Sequence, residues 1–300
     1  MTVADRIRLT QKILFTAGRK FFSDNGLFLA TGLAFNLLLY SIPFSLLLIS
    51  FFGYTILESD RALKEVESIL RALLPRSQQT FADNVAAIVA SRGLLGFVGF
   101  VSFFVFSSFL FGSVRIVLNQ VFEVRRPRTY FRGLASDFLM MLITAALAML
   151  AIGTTWVAAG VGTAAVRFPE LAFFIEPLAT LFTKIVSLIV TGTVFYVAYR
   201  FSPAATLTRP ALWVAALTGT ILLELAKQAF AWYVAFAETS LVLYGILSGV
   251  VLFFVWLYYA SVVFVLGAEV GWAYDHVSVE SLEGSMRGNQ NNGDPARDLR

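Results

Sequence analysis

The amino-acid sequence predicts an all-α polytopic membrane protein, with six transmembrane helices and short amphipathic helices at the membrane surface. Of its 300 residues, 58% are hydrophobic and only 14% are charged, whereas soluble domains carry about a quarter of charged residues. The mean hydropathy is +0.77, which is too apolar for a surface that faces water. Phenylalanine occurs 30 times, and bulky apolar side chains suit helix surfaces that contact lipid.

Six long apolar runs fit membrane-spanning helices, because the hydrocarbon core of a bilayer requires about 20 apolar residues in helical conformation. Pro43 interrupts the first run, and only Glu238 and its neighbours separate the last two, which predicts a tight hairpin. The Gly-, Asn- and charge-rich segment 276–300 predicts a disordered cytoplasmic tail. The predicted membrane domain covers residues 1–275, with helices at about 26–57, 93–118, 138–166, 177–199, 211–237 and 239–268.

The placement of lysine and arginine predicts the orientation of the chain. Most of the 23 basic residues lie in segments that share a side of the membrane with the N-terminus, and cytoplasmic loops are enriched in Lys and Arg. We therefore expect both termini in the cytoplasm. The first apolar run is too long for the core of a cleaved signal peptide, so we expect it to remain as a membrane anchor.

Two further segments have the residue spacing of amphipathic helices. Residues 60–91 carry two apolar stripes, and we expect two short helices there on the outer face of the membrane. The N-terminal segment predicts a helix on the cytoplasmic surface, where anionic lipid attracts its basic residues. The apolar stripe of that N-terminal helix consists of Val3, Ile7, Leu14 and Phe21.

The most informative polar residues are charges inside the predicted spans. Glu224 lies near the middle of the fifth helix, and Lys227 and Gln228 follow three and four residues later, so all three share a face. Lys184 in the fourth helix falls at a similar depth. Because a lone charge costs at least about 2.5 kcal/mol at mid-bilayer, the pattern indicates either a polar substrate site or a buried ion-pair lock between two helices. Both interpretations stay open here.

Helix one contains a polar stretch at Asn36 and Tyr40, next to the kink expected at Pro43. A proline inside a helix frees a carbonyl and bends the axis. The stretch either lines a cavity, which makes Asn36 and Tyr40 candidate substrate-binding residues, or packs against neighbouring helices.

A basic cluster lies at the inner end of the second predicted helix. It consists of four arginines and one asparagine, which could bind the phosphates of lipid head groups. The alternative is ordinary positive-inside marking of topology. The candidate head-group residues are Arg115, Asn119, Arg125, Arg126 and Arg128.

Small residues in the sixth helix predict close helix packing, because glycine lets two helix backbones approach each other. Gly245 and Gly249 form a small-xxx-small pair, and Gly267 precedes Glu269 at the expected inner interface. Together with Pro43, these residues are assigned to helix packing.

Several functional classes are excluded by what the sequence lacks. There is no cysteine and a single histidine, His276, so neither thiolate nor multi-histidine metal sites can form. The Gly-x-x-x-x-Gly-Lys-Ser/Thr phosphate loop is absent. We therefore predict no catalytic residues, no metal, no cofactor and no nucleic-acid partner.

Blocks of residues spread from about 10 to 275 resemble the YihY/virulence factor BrkB family. The resemblance implies a six-helix protein of the cell inner membrane. Family members often carry a second aromatic where this chain has Asn36, which leaves the role of that position open. The blocks are Leu33–Leu37, Tyr40–Pro43, Gly93–Gly96, Arg115 with Asn119, Tyr244–Leu247, Trp256–Tyr258, Ser261 and Gly267–Glu269.

The leading hypothesis is a non-enzymatic envelope protein that assists translocation or export of phospholipid or glycolipid without its own ATPase. Membrane lipids would be its partners, together with a periplasmic envelope-transport protein; homo-oligomerisation is left open. The alternatives are a scaffold subunit of an envelope complex and a small-solute or ion transporter. The family was once labelled ribonuclease BN, but one histidine, no cysteine and no soluble acidic cluster argue against a two-metal nuclease.

Overall fold

The structure, a computed structural model, describes residues 3–55, 92–126, 129–167, 169–244 and 246–292. Within these ranges the chain is helical apart from short turns and contains no β-strand, so the predicted all-α fold is confirmed. The predicted outer amphipathic segment 60–91 lies outside the described residues. The helices are α1 (Val3–Ser23), α2 (Gly26–Thr55), α3 (Arg92–Val121), α4 (Tyr130–Arg167), α5 (Pro169–Phe201), α6 (Arg209–Tyr244) and α7 (Ile246–Asn292).

Five segments of the described chain are long and apolar enough to cross a membrane. Each of these segments overlaps one of the predicted spans. The remaining prediction, 138–166, lies inside α4, whose 38 residues also exceed the thickness of a bilayer core; most side chains in its second half lie outside the described residues. The five segments are Gly26–Leu47, Phe97–Val121, Pro177–Phe201, Arg209–Phe236 and Gly249–Ser278.

Two turns place residues other than glycine in the left-handed region. Asn25, between α1 and α2, has a φ of 57°, which asparagine tolerates because its short side chain bonds locally. Glu123, after α3, has a φ of 51°. The bonds from Val124 N to Asn119 O (2.9 Å) and from Glu123 N to Gln120 O (3.0 Å) form the Schellman arrangement that ends α3.

The chain divides into two compact units. The larger unit comprises residues 1–34 and 111–300, and its core joins the start of α2 and the end of α3 with α5, α6 and α7. At its centre the fully buried Tyr199 donates a hydrogen bond from its hydroxyl to the carbonyl of Phe264, at 2.7 Å. Gly219 and Gly267 leave space for the Tyr199 side chain, since a Cβ at either position would come within 3.2 Å of its hydroxyl.

The smaller unit, residues 35–110, pairs the second half of α2 with the first half of α3. A Cβ at Gly99 would lie 3.1 Å from Cβ of Leu46, so the two backbones approach closely there. The ring of Phe103 packs against the rings of Tyr40 and Phe44, with centroids 5.4 Å and 6.3 Å away.

The buried face of α1 differs from the predicted stripe. Phe21 is buried as predicted, but Ile7 and Leu14 are exposed. Ile13 and Ala17 are buried instead, against α7. The difference arises because α7 covers only part of the circumference of α1. The position of α7 decides which apolar residues of α1 are buried.

α2 continues through Pro43 and remains helical from Gly26 to Thr55, within the predicted helix at about 26–57. The hydroxyls of Ser41 and Ser45, one on each side of Pro43, donate hydrogen bonds to the carbonyls of Leu38 and Ser41. The segment from 276 was predicted to be disordered, yet α7 continues to Asn292. No proline precedes Pro295 there, so nothing breaks the backbone hydrogen-bond ladder.

Candidate functional site

A charged pair lies inside the membrane span of α6. The Nζ atom of Lys227 donates a hydrogen bond to Oε2 of Glu224 at 2.9 Å. The side chain of Lys227 is 34% exposed and that of Glu224 is 42% exposed. Gln228 is also exposed, on the adjoining side of the helix. Helix geometry explains the pairing, since residues three apart are neighbours on the helix surface.

The depth of this pair follows from the helix rise of about 1.5 Å per residue. Glu224 lies roughly 22 Å along α6 from Arg209, and the 28-residue span Arg209–Phe236 is about 42 Å long. The hydrocarbon core of a bilayer is about 30 Å thick. The pair therefore lies near mid-membrane, where mutual neutralisation offsets part of the cost of burying each charge.

Lys184 does not join this pair in the structure. It lies on α5 and is exposed, and no ion pair connects it to Glu224 among the side chains that the structure describes. The predicted three-charge cluster is thus an i, i+3 pair on α6 and a separate lysine on α5. The predicted ion-pair lock between two helices is not observed among the described side chains, because the ion pair lies within α6.

The other two candidate substrate residues belong to the smaller unit. Tyr40 is half-buried, and its ring stacks on Phe44 with centroids 5.6 Å apart. Asn36 is half-buried one turn before it. Both therefore lie on the packed side of α2, and their substrate role stays a prediction.

Two residues of the predicted head-group cluster are occupied by protein contacts. Nη2 of Arg115 bonds to Oδ2 of Asp137 on α4 at 3.0 Å, and Asp137 is buried. The side-chain oxygen of Asn119 accepts a hydrogen bond from the backbone N–H of Ala204 at 2.8 Å, which anchors the α5–α6 connection. Gly133 faces Arg115, because a Cβ there would overlap the guanidinium group.

The exposed part of the basic cluster is Arg125 and Arg126, in the connection between α3 and α4. Arg128 lies outside the described residues. If the cluster binds lipid phosphate, the two exposed arginines are the side chains with room to do so.

The predicted packing glycines divide into two groups. Gly267 packs closely, since a Cβ there would lie 3.1 Å from Cα of Gly219 and 3.2 Å from the carbonyl of Ala215. At Gly249 a Cβ would meet nothing within 4 Å, and Gly245 lies outside the described residues. Gly271, four residues after Gly267, also packs closely, since a Cβ there would lie 2.6 Å from Cβ of Ala215.

Sequence reasoning missed the most highly charged buried cluster of the described chain. Lys20 is only 8% exposed, and its ammonium group pairs with Asp24 in the next turn. It also lies 3.5 Å from Glu123 and 3.7 Å from the fully buried Glu269. The ring of Trp272 lies beneath it, with the centroid 4.5 Å away, a cation–π arrangement.

This Lys20 cluster connects four segments: α1, the α1–α2 turn, the end of α3 and α7. Glu269 was expected at the inner membrane interface and was assigned to helix packing; in the structure it lies where α1 meets α7. Neither of its carboxylate oxygens has a hydrogen-bond partner among the described residues, so Lys20 provides its nearest countercharge. The one available signal in the sequence was that Lys20 falls on the helix face of Ile13 and Ala17.

No group of three or more His, Cys, Asp or Glu side chains in the described part of the chain is arranged to hold a metal ion.

Comparisons with known proteins add a family. The family model described as Virulence factor BrkB matches residues 17–291. A UPF0761 membrane protein of Pseudoalteromonas atlantica is 26% identical over 243 residues, which cover 79% of this chain and 77% of that protein. A UPF0761 membrane protein of Prosthecochloris aestuarii is 27% identical over 270 residues, 88% of this chain but only 61% of that protein. No solved structure matches this chain.

Proposed function

The chain belongs to the virulence factor BrkB family of multi-pass membrane proteins, and on that premise we propose that it assists the movement of phospholipid or glycolipid across or out of the inner membrane. It does so without chemistry of its own and without an ATPase. Both termini lie in the cytoplasm in this proposal. Movement is passive, ion-coupled or driven by a periplasmic partner.

The observation that carries the proposal is the half-exposed pair of Glu224 and Lys227 near mid-membrane. A zwitterionic head group such as phosphoethanolamine carries one phosphate and one ammonium group. An ammonium side chain matches the phosphate, and a carboxylate three residues away matches the ammonium. A polar binding site of this kind lowers the free-energy cost of moving a charged head group through the hydrocarbon core, from which charges are otherwise excluded.

The exposed arginines after α3 support the same proposal. Arg125 and Arg126 attract anionic phosphate to the cytoplasmic end of the helices, because juxtamembrane basic residues bind lipid phosphates. With Arg115 and Asn119 engaged by Asp137 and Ala204, these two arginines supply the predicted head-group contacts.

The test is lipid translocation in proteoliposomes, measured with head-group-labelled phospholipid and a membrane-impermeant quencher. Wild-type protein should flip lipid at least tenfold faster than empty liposomes. Glu224→Gln and Lys227→Met should each lose most of that rate while remaining folded. Lys184→Met is the control, since it removes a lysine at similar depth that lies outside the pair. If translocation requires the pair of Glu224 and Lys227, this variant stays active.

A scaffold subunit of an envelope complex is the second candidate function. It is favoured by the mutual neutralisation of Glu224 and Lys227, which needs no substrate. If the protein is a scaffold, cells that carry the Glu224→Leu/Lys227→Leu variant should have normal envelope function. The wild-type protein should then not flip lipid in proteoliposomes. Uptake of a labelled solute or an ionic current without lipid movement would instead indicate the small-solute or ion transporter.

A further inference from the structure

Helix α1 presents three different faces. One face, with Ile13, Ala17 and Lys20, is buried against α7 and the Lys20 cluster. The rest of the circumference is exposed. Because successive residues are offset by about 100° around a helix, the exposed residues fall into two separate stripes that run side by side along α1.

The first exposed stripe is apolar. Ile7 and Leu14 lie seven residues apart on its one edge, and Phe15 and Phe22 lie seven residues apart on the other. The two phenylalanines are 74% and 71% exposed. Gln11 and Gly18 lie between the two edges, so the large apolar side chains form two neighbouring rows. Exposed apolar side chains grouped in this way mark a contact with a partner or a membrane.

The second exposed stripe is basic. Arg8, Lys12 and Arg19 are spaced by four and seven residues, and all three are exposed. This stripe borders Phe15 and Phe22 on the side opposite Ile7 and Leu14. An amphipathic helix with aromatic residues on one face and Lys or Arg on the next is the pattern of helices that lie in the membrane interface.

The position of α1 favours a lipid surface over a soluble partner. α1 ends at Ser23, and the first membrane span begins at Gly26 after a tight turn. The side-chain amide of Gln120 on α3 donates to the carbonyl of Asp24 at 3.1 Å, so this turn is tied to the end of another span. The C-terminal end of α1 is therefore held at the level where two membrane helices leave the bilayer.

We infer that α1 is a built-in binding surface for anionic phospholipid, with its apolar stripe among the acyl chains and its basic stripe on the lipid phosphates. Packing of Ile13 and Ala17 on α7 sets the rotation of α1, and this rotation turns the apolar stripe toward lipid. The surface is independent of the charged pair on α6, so it holds whether or not the protein moves lipid.

The chain contains no cysteine, which permits a direct test by single-cysteine spin labelling of the full-length protein. Labels at Phe15→Cys, Phe22→Cys and Lys12→Cys are read by electron paramagnetic resonance in nanodiscs, with oxygen as the lipid-soluble relaxant and a nickel chelate as the water-soluble one. One set of nanodiscs contains phosphatidylcholine only. The other contains three parts phosphatidylcholine to one part phosphatidylglycerol.

We expect oxygen accessibility to exceed nickel accessibility several-fold at positions 15 and 22, and the reverse at position 12. Phosphatidylglycerol should move both phenylalanine positions deeper, because each basic residue near an anionic surface favours binding by about fivefold. The variant Arg8→Gln/Arg19→Gln should lose this shift. Arg132→Gln/Arg209→Gln removes the same charge from exposed positions outside α1 and should keep it.

Three results would overturn the inference. Nickel accessibility at positions 15 and 22 equal to that at position 12 would place the apolar stripe in water. Shielding from both relaxants would assign it to a second copy of the chain. An equal depth in the two kinds of nanodisc would remove the preference for anionic lipid. None of these measurements depends on lipid translocation. A negative result in the translocation assay is therefore distinguished from a negative result for lipid binding by α1.

Discussion

The ammonium nitrogen of Lys20 lies 3.7 Å from a carboxylate oxygen of Glu269, and Glu269 is fully buried. The two residues lie on α1 and α7, almost the full length of the chain apart. Glu269 has no hydrogen-bond partner in the part of the chain that the structure describes. Lys20 is therefore the nearest countercharge of this buried carboxyl group, and we expect the contact to stabilise the α1–α7 junction.

Replacing Lys20 with methionine should lower the free energy of unfolding by about 1–3 kcal/mol, because it leaves the buried carboxyl group of Glu269 without its nearest polar partner. Titration with sodium dodecyl sulphate, followed by circular dichroism, measures the change. The double variant Lys20→Met/Glu269→Leu should recover most of the loss. Arg19→Gln, at an exposed arginine of the same helix, should change stability by less than about 0.5 kcal/mol. A double variant as unstable as Lys20→Met would contradict the assignment.

Gly133→Ala should weaken the contact between α3 and α4. A Cβ at this position overlaps the guanidinium group of Arg115, which must then leave Asp137, a buried acceptor 3.0 Å away. The expected loss is about 1–3 kcal/mol in the free energy of unfolding. Gly153→Ala is the control on the same helix, where a Cβ meets nothing within 4 Å. Equal stabilities of the two variants would show that Arg115 moves aside without cost.

Gly271→Ala should destabilise the packing of α6 on α7. The new methyl group would lie 2.6 Å from Cβ of Ala215 and 3.2 Å from the carbonyl of Ala211, and such overpacking costs about 1–3 kcal/mol. Gly249→Ala, on the same helix but in open space, should be neutral or gain up to about 1 kcal/mol from helix propensity. Thermal unfolding in detergent, monitored by size-exclusion chromatography, ranks the two; the opposite ranking would refute the packing role of Gly271.

Tyr199→Phe should cost about 0.5–1.5 kcal/mol in the free energy of unfolding, since it removes one buried hydrogen bond while keeping the ring. The lost bond is the 2.7 Å contact to the carbonyl of Phe264. Tyr259→Phe removes a hydroxyl from an exposed tyrosine and should have no measurable effect. If both variants unfold with the same free energy as the wild type, the hydroxyl of Tyr199 contributes nothing to the core.

The accuracy of the sequence predictions depended on how far apart the partners lie along the chain. Glu224 and Lys227 were correctly placed on one face, because residues three apart are neighbours in any α-helix. Lys184 was added to them from depth alone, and depth leaves the rotation of α5 undetermined. Arg115 and Asn119 were assigned to lipid because their partners, 22 and 85 residues away, could not be read from local spacing.

The sequence by itself determined the all-helical class and the positions of the membrane spans, because both follow from local composition and from the length of helix that a bilayer requires. It also identified the charges inside the spans and the close packing at Gly267. Only the tertiary structure decided which face of α1 is buried, that Arg115 pairs with Asp137, and that Lys20 meets Glu269. These outcomes depend on the rotation and docking of whole helices, which are set by contacts between residues distant in the chain.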